Sequence, residues 1–326
     1  MNPEIRINPE LMKTCRERAE YCLRKFREEF GIWETPVDCF RLTDRLNASG
    51  KISIQRAPAE GLSDDFDGVT YCFPKEQFYL ICHRPVAMMW KSRSVRRRIN
   101  FTLAHELGHI FCGHLAVPDP LKTPETRALE DAEADAFAAE LLTPKDVLGH
   151  FRSVKEAADA LLVSESAVRR RTRDTGILFA LRTCPNCGFN KIPPAADYCR
   201  MCGECLQETP HPPKERDVIF YPPPPEECPV CGYKNVSTED GRCLYCDASK
   251  RNYCMPEYSQ MPHWCPEDAK YCETCGVPTL YKELLGMQNI NVPTGSNPAG
   301  IFTLQIVVIS QSVCHALITW QRLCKV

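Results

Sequence analysis

The stretch "FTLAHELGHIFCGH", residues 101–114, decides how this chain is read. Residues four apart on a helix share a face, so His105 and His109 can aim two imidazoles at one metal ion. Glu106 is rotated away by one residue, yet its side chain can still reach a water held there. That is the arrangement of an H-E-x-x-H helix, with two ligands and a general base. Phe101, Leu103, Ala104 and Phe111 are apolar, and Leu107 and Gly108 carry no charge. The spacing therefore predicts a largely buried helix, where an unpartnered His or Glu is costly and a metal supplies the partner. His114 reads as a surface residue rather than a further ligand.

A catalytic zinc commonly keeps three protein ligands and one open position. The third is expected downstream, and "LEDAEADAFAAELLTP" (129–144) offers several acids. Ala134, Phe137, Ala138, Leu141 and Leu142 mark the apolar face of that helix. The helical wheel puts Asp131 on the extension of this face, Glu130 at its edge and Glu133 toward solvent. Asp135 falls on the other edge, one turn beyond Asp131. Asp131 is thus read as the third ligand, and Asp135 as a carboxylate that hydrogen-bonds a ligating histidine.

"RRRINFTLAHELGHIFCGH" followed by "EADAFAAELLTP" resembles the ImmA/IrrE family of zinc metallopeptidases, over about residues 10–175. The resemblance implies a thermolysin-like zinc site with His105, His109 and a downstream acid as ligands and Glu106 as base. The family usually carries Glu where this chain has Asp131, which is one methylene shorter, so Glu130 or Glu133 could substitute. The implied chemistry is hydrolysis of a peptide bond, with water activated toward a pKa of ~7 and its proton carried by Glu106 to the leaving amine. Tyr71, Tyr79 and His83 are candidate oxyanion donors. The family also suggests a regulatory protein substrate, such as a transcriptional repressor.

The chain has 326 residues and a formal net charge of -2, so no global field draws it to nucleic acid or to an acidic membrane. Its N-terminus lacks the apolar core of a signal peptide. Of 21 cysteines, 13 fall between Cys184 and Cys275. Together these features point to a reducing cytoplasm, where clustered cysteines read as metal ligands rather than disulfides.

Helical periodicity is expected over 9–30, 35–46 (with Thr35 as cap and Pro36 at the first position), 94–114 and 125–142. Residues 51–56 alternate like a strand, and "GVTYCF" and "QFYLIC" suggest a hairpin. "SVKEAADALLVSESAVRRRTRD" (153–174) reads as helix, turn, helix, capped by Ser153 and Ser164. It resembles a DNA-reading helix-turn-helix, in which Arg169, Arg170, Arg171 and Arg173 could meet phosphates. A pair of helices packed on the peptidase is the competing reading, and "KSRSVRRR" (91–98) is read as a solvated helix start.

Beyond residue 180, Pro, Gly and Cys dominate. Cys184, Cys187, Cys199 and Cys202 form one double-knuckle set, and Cys228, Cys231, Cys243 and Cys246 a second; both fit closed tetrahedral zinc. They resemble zinc ribbons of the double-ribbon type. Cys265, Cys272 and Cys275 begin a third set, with Cys254 as fourth ligand and His263 as runner-up, while Cys205 is a spare thiol. "YPPPPEE" (221–227) reads as a stiff linker.

The expectation is an α+β chain. A mostly helical metallopeptidase domain with a small sheet (1–150) precedes a helix-turn-helix-like segment (151–180), a zinc-ribbon array (181–280) and a tail (281–326). One catalytic and two to three structural zinc ions are expected, with a protein substrate, DNA contact through 153–174 or the ribbons, and no membrane. The uncharged stretch 301–320 is the one segment with the length of a span. A non-enzymatic DNA- or protein-binding regulator is the competing function.

Overall fold

The computed structural model describes residues 8–60, 62, 67–75, 78–85, 93–207, 218–221, 224–234, 237–238, 241–255 and 263–288. The candidate span at 301–320 and linker residues 222–223 lie outside them. By its internal contacts the chain divides into two units, Met1–Leu285 and Gly286–Val326, and the motif helix and all the cysteine clusters belong to the first. No helix among the described residues is long and apolar enough to cross a membrane.

The fold is mixed helix and small sheet. α1 (Pro9–Phe30) starts at Asn8, whose side chain accepts from Leu11 N, and stops at Gly31 with φ +66°. α2 (Cys39–Ala48) is capped by Asp38, which accepts from Phe40 N. This corrects the expected start at Thr35. Thr35 lies instead in β1 (Glu34–Thr35), which pairs in parallel with β5 (Ile219–Phe220), a partner far along the chain that local propensity does not reveal.

β2 (Ser53–Pro58), β3 (Gly68–Phe73) and β4 (Phe78–His83) form a sheet of order β2-β4-β3. β3 and β4 make the expected hairpin, in register from Gly68↔His83 to Phe73↔Phe78, and β2 runs parallel to β4. The motif helix α3 (Arg93–Phe111) packs on β3 and β4 and also on α4 (Pro124–Leu142), which in turn packs on α1. The core lies where these helices meet. Phe26 of α1 sits 4.5 Å from Phe111 and 5.9 Å from Phe137, centroid to centroid. Full burial of Phe26 and Phe137 contributes about 1.5–3 kcal/mol of transfer free energy each.

Short α5 (Lys145–Leu148) leads to α6 (Val154–Ala160) and α7 (Glu165–Thr175), capped by Ser153 and Ser164 as expected. Six arginines of α3 and α7 pair with carboxylates. Arg96 meets Asp38 at 2.6 Å, Arg97 meets Asp159 at 2.5 Å and Arg98 meets Asp67 at 2.6 Å. Arg169 pairs with Glu165, Arg171 with Glu140, and Arg170 with Asp135 at 3.2 Å.

The cysteine-rich half adds β6 (Asn252–Tyr253), β7 (Trp264–Cys265) and the start of α8 (Leu280–Gln288) to isolated bridges. Its first and third cysteine units, which are not neighbours in sequence, pack on each other reciprocally. Asp197 N and Tyr198 N donate to Glu273 O, while Lys270 N and Tyr271 N donate to Arg200 O. The Tyr271 ring covers Gly203 and the Tyr198 ring covers Gly276, so a β-carbon at either glycine would meet the ring within 3 Å. Arg200 and Glu273, each one residue past the third ligand position of its unit, form a buried ion pair at 2.7 Å, joined by Asp268 at 2.8 Å. Arg152 reaches the same Asp268 at 3.2 Å and Ala195 N donates to Gly149 O, which tie these units to the helical part.

Candidate metal centres

Two imidazoles converge on α3. His105 Nε2 and His109 Nε2 lie 3.1 Å apart. Each ring is held from behind. His105 Nδ1 is 2.9 Å from Asp135 Oδ1; a carboxylate only accepts, so Nδ1 carries the hydrogen and Nε2 presents a lone pair. On the other ring, His109 Nδ1 is 3.0 Å from His114 Nδ1, and His114 Nε2 is 2.9 Å from Glu133 Oε2. Glu133 accepts from His114 Nε2–H, which leaves His114 Nδ1 to accept from His109 Nδ1–H. His109 Nε2 is then bare as well. In this tautomer the two Nε2 lone pairs converge at a distance that a shared cation can bridge.

Asp131 offers a third candidate donor. Its Oδ1 is 3.4 Å from His109 Nε2, and His105, His109 and Asp131 each place a donor atom within 4.8 Å of the others. Its side chain is 65% exposed, so the group opens to solvent. Glu130 lies with His109 and His114 in another such group, but its carboxylate is held by Lys122 Nζ at 2.6 Å.

α4 brings the acids close because α3 and α4 touch at a glycine. A β-carbon at Gly108 would lie 2.9 Å from Ala134 Cα and 3.0 Å from Ala134 O. Glu106 is buried, and Thr70 Oγ1 donates to its Oε2 at 2.6 Å, which leaves Oε1 toward Gly68. Of the candidate oxyanion donors, His83 is buried edge-on against Phe40 with its Nδ1 at 2.8 Å from Arg84 O. Tyr71 follows Thr70 on β3 and so faces the opposite side of the sheet. Tyr79 shares the helix-facing side and is half-buried.

Two placements correct the wheel. Glu133 is buried rather than solvent-facing, and Asp131 is the exposed one. Apolar residues mark only the part of α4 that meets the core; Glu133 faces a polar enclosure made by His114 and by Arg18 of α1, 3.3 Å away. His114 is likewise buried at 4% exposure rather than on the surface.

The electrostatics follow the contacts. Burial opposes charge on His105, but the Asp135 hydrogen bond and the carboxylates of Asp135, Glu106 and Asp131 raise its pKa. Burial also opposes charge on Asp135, yet His105 and then Arg170 hold its carboxyl below the usual range. Burial, with His109 adjacent, pushes His114 down to about 4, so it is neutral at physiological pH.

In the cysteine-rich half, Cys184–Cys202 and Cys187–Cys199 have Sγ separations of 3.7 and 3.6 Å, and Cys228–Cys246 and Cys231–Cys243 are both at 3.7 Å. Tetrahedral Zn–S bonds of ~2.3 Å give edges of about 3.8 Å, so both sets fit the ion. Burial opposes the Cys184 thiolate, but backbone N–H groups of Cys187 and Asn186 bring it down to about 7.

The third set departs from expectation. His263 Nδ1 lies 3.6 Å from Cys254 Sγ and 3.7 Å from Cys272 Sγ, and the converging donors are Cys254, His263, Cys272 and Cys275. Cys265, expected in this set, adjoins Cys272 but takes a core position. Asn252 pairs with Cys265 as Arg182 pairs with Ile192, each two residues before the first ligand position. Cys254, Cys265, Ala269 and Cys272 thus form the same small cluster as Cys184, Ile192, Ala196 and Cys199. Cys265 does the work of an isoleucine.

No curated protein matches this chain. A solved Mycobacterium tuberculosis transcriptional regulator shares 16% identity at a TM-score of 0.33, over 50% of this chain and 51% of that one. The chain therefore spans about half of that protein. Residues 74–173, which include His105, Glu106, His109, Asp131 and Asp135, match the family model described as the IrrE N-terminal-like domain, Peptidase_M78.

Proposed function

We propose that the chain is a zinc-dependent endopeptidase whose substrate is a regulatory protein, such as a transcriptional repressor, with closed zinc sites holding its C-terminal half together. The observation that carries this reading is the pair of Nε2 atoms 3.1 Å apart, with each ring's Nδ1 already engaged and the Glu106 carboxylate one residue along the same helix.

His105, His109 and Asp131 hold the ion. When bound, zinc supplies Lewis acidity toward a carbonyl and toward water. Glu106 accepts the proton of the attacking water and delivers it to the leaving amine. Thr70 holds one oxygen of that carboxylate, and the other lies toward Gly68. Cys184, Cys187, Cys199 and Cys202, then Cys228, Cys231, Cys243 and Cys246, then Cys254, His263, Cys272 and Cys275 enclose three further ions, which do no chemistry but stabilise segments poor in apolar residues.

The competing regulator needs free cations for phosphates. Arg171 is partly buried against Glu140 and Arg170 braces the Asp135 that holds His105, which favours the enzyme. The test is co-expression with a repressor encoded beside this chain. Wild type should cleave it and Glu106→Gln should leave it intact; cleavage by both, or salt-dependent DNA binding with no cleavage by either, overturns the reading.

A further inference from the structure

The structure assigns His114 a role in the metal centre: it is a positioning residue that fixes the tautomer of His109, with Glu133 and Arg18 behind it. This inference rests on the metallopeptidase reading and deepens it. A ligating histidine usually has its second nitrogen held by a carboxylate, a carbonyl or water. His105 follows that pattern with Asp135. His109 instead meets a second imidazole, and with Glu133 ionised beside Arg18 and His114 neutral, one protonation pattern satisfies the row.

Arg18 Nη1 donates to Glu133 Oε1 at 3.5 Å and Arg18 Nε lies 3.3 Å from Oε2, so the carboxylate is anchored as an acceptor. That carboxylate takes the hydrogen of His114 Nε2 at 2.9 Å. His114 Nδ1 must then accept, and at 3.0 Å it takes the hydrogen of His109 Nδ1. The outcome is a bare Nε2 on His109, aimed at His105. The row is enclosed, since the side chains of His114 and Glu133 are 2% and 10% exposed. Arg18 Nη2 also donates to Cys112 O at 3.2 Å, just past the end of α3, so α1 holds both the relay and the helix it serves. Arg170 closes the opposite side through Asp135 at 3.2 Å. The two histidines are thus steered from two sides by two different helices.

The experiment uses the full chain with 15N-labelled histidine; there are 8 histidines in all. With the histidine site emptied by mild chelation and the cysteine sites still loaded, the imidazole spectrum should show His109 protonated on Nδ1 and His114 on Nε2. A His109 proton held on Nε2 overturns the relay without any mutation. Zinc competition then separates positioning from packing. His114→Leu fills the space but can neither accept nor donate, and should weaken zinc at this site about 10- to 100-fold. His114→Gln offers one acceptor and one donor, and should bind close to wild type. Glu133→Gln, which still accepts, should also stay close, and Glu133→Leu should follow His114→Leu. Equal losses in His114→Gln and His114→Leu, or none in either while wild type binds zinc, overturn the relay alone. A wild type with no zinc at His105 and His109 overturns the peptidase reading and the relay together.

Discussion

Replacing Gly108 by alanine sets two effects against each other. Alanine is the better helix former by about 1 kcal/mol, so α3 on its own would gain stability. Against α4, however, the new β-carbon would sit 2.9 Å from Ala134 Cα, 3.0 Å from its carbonyl oxygen and 3.2 Å from its Cβ. All three atoms belong to or spring from the α4 backbone, so no side chain can swing aside. Carbon contacts are comfortable only beyond about 3.5 Å, so α4 must retreat by about 0.5 Å or more. Overpacking of this kind costs ~1–3 kcal/mol, which leaves a net loss of about 0–2 kcal/mol. The metal site should suffer more than the fold, because the retreat carries Asp131 and Asp135 away from the histidines. Ligand distances tolerate only about ±0.2 Å, and zinc affinity should fall about 10- to 100-fold. Thermal unfolding and competition with a chromophoric chelator, on one preparation, separate the two. A Gly108→Ala protein that is more stable by about 1 kcal/mol and binds zinc as before would show that α3 and α4 are not in close contact at Gly108.

Three further outcomes are expected. Cys265→Ile should keep the full zinc content while His263→Ala loses one ion, measured by elemental analysis; the reverse would restore Cys265 as ligand. Glu273→Leu leaves the fully buried Arg200 with Asp268 alone and should cost about 3–5 kcal/mol against denaturant, whereas a loss under about 1 kcal/mol would make the pair no better than a surface one. Zinc affinity at the histidine pair should fall early in acid. Burial alone would lower the His105 pKa, but Asp135, Glu106 and Asp131 raise it. Protons therefore compete from above the usual histidine value of ~6.5, and affinity is regained only above the raised pKa. A pH titration of zinc binding whose fall begins below ~6 would contradict this.

Much of this architecture is legible in the sequence because its signals are local. Ser153 and Ser164 cap their helices where the spacing puts them, and the hairpin of β3 and β4 follows from two alternating runs about a short turn. The histidine spacing and the regular C-x-x-C pairs carry their geometry within four residues. What escapes the sequence depends on contacts between distant segments. Glu133 is buried by Arg18, 115 positions away, and a helical wheel that weighs only apolar residues sends it to solvent. The strand formed by Thr35 needs Phe220 as its partner. Cys254 and His263 are nine positions apart, too far for a knuckle pattern, so the nearer Cys265 draws the assignment. The reciprocal packing of the first and third cysteine units skips the second, and nothing in their spacing announces it. One signal was available: "GH" closing the motif at 113–114 puts an imidazole one turn past His109, at a distance suited to its free nitrogen.

Counting zinc while watching proteolysis tests the histidine site directly. The intact reduced chain should contain four ions, one held by His105, His109 and Asp131 at an open site and three enclosed by cysteine-rich sets. Closed thiolate sites release metal only as their segments unfold, so mild chelation should remove the first ion and stop cleavage while the ribbons stay folded. Elemental analysis, repressor cleavage and a ribbon-folding probe followed across one chelator titration should show activity lost with the first ion and restored by one equivalent of zinc. Cleavage that survives removal of all metal, or activity that falls only when the ribbons melt, would contradict the claim that His105, Glu106 and His109 form the active site.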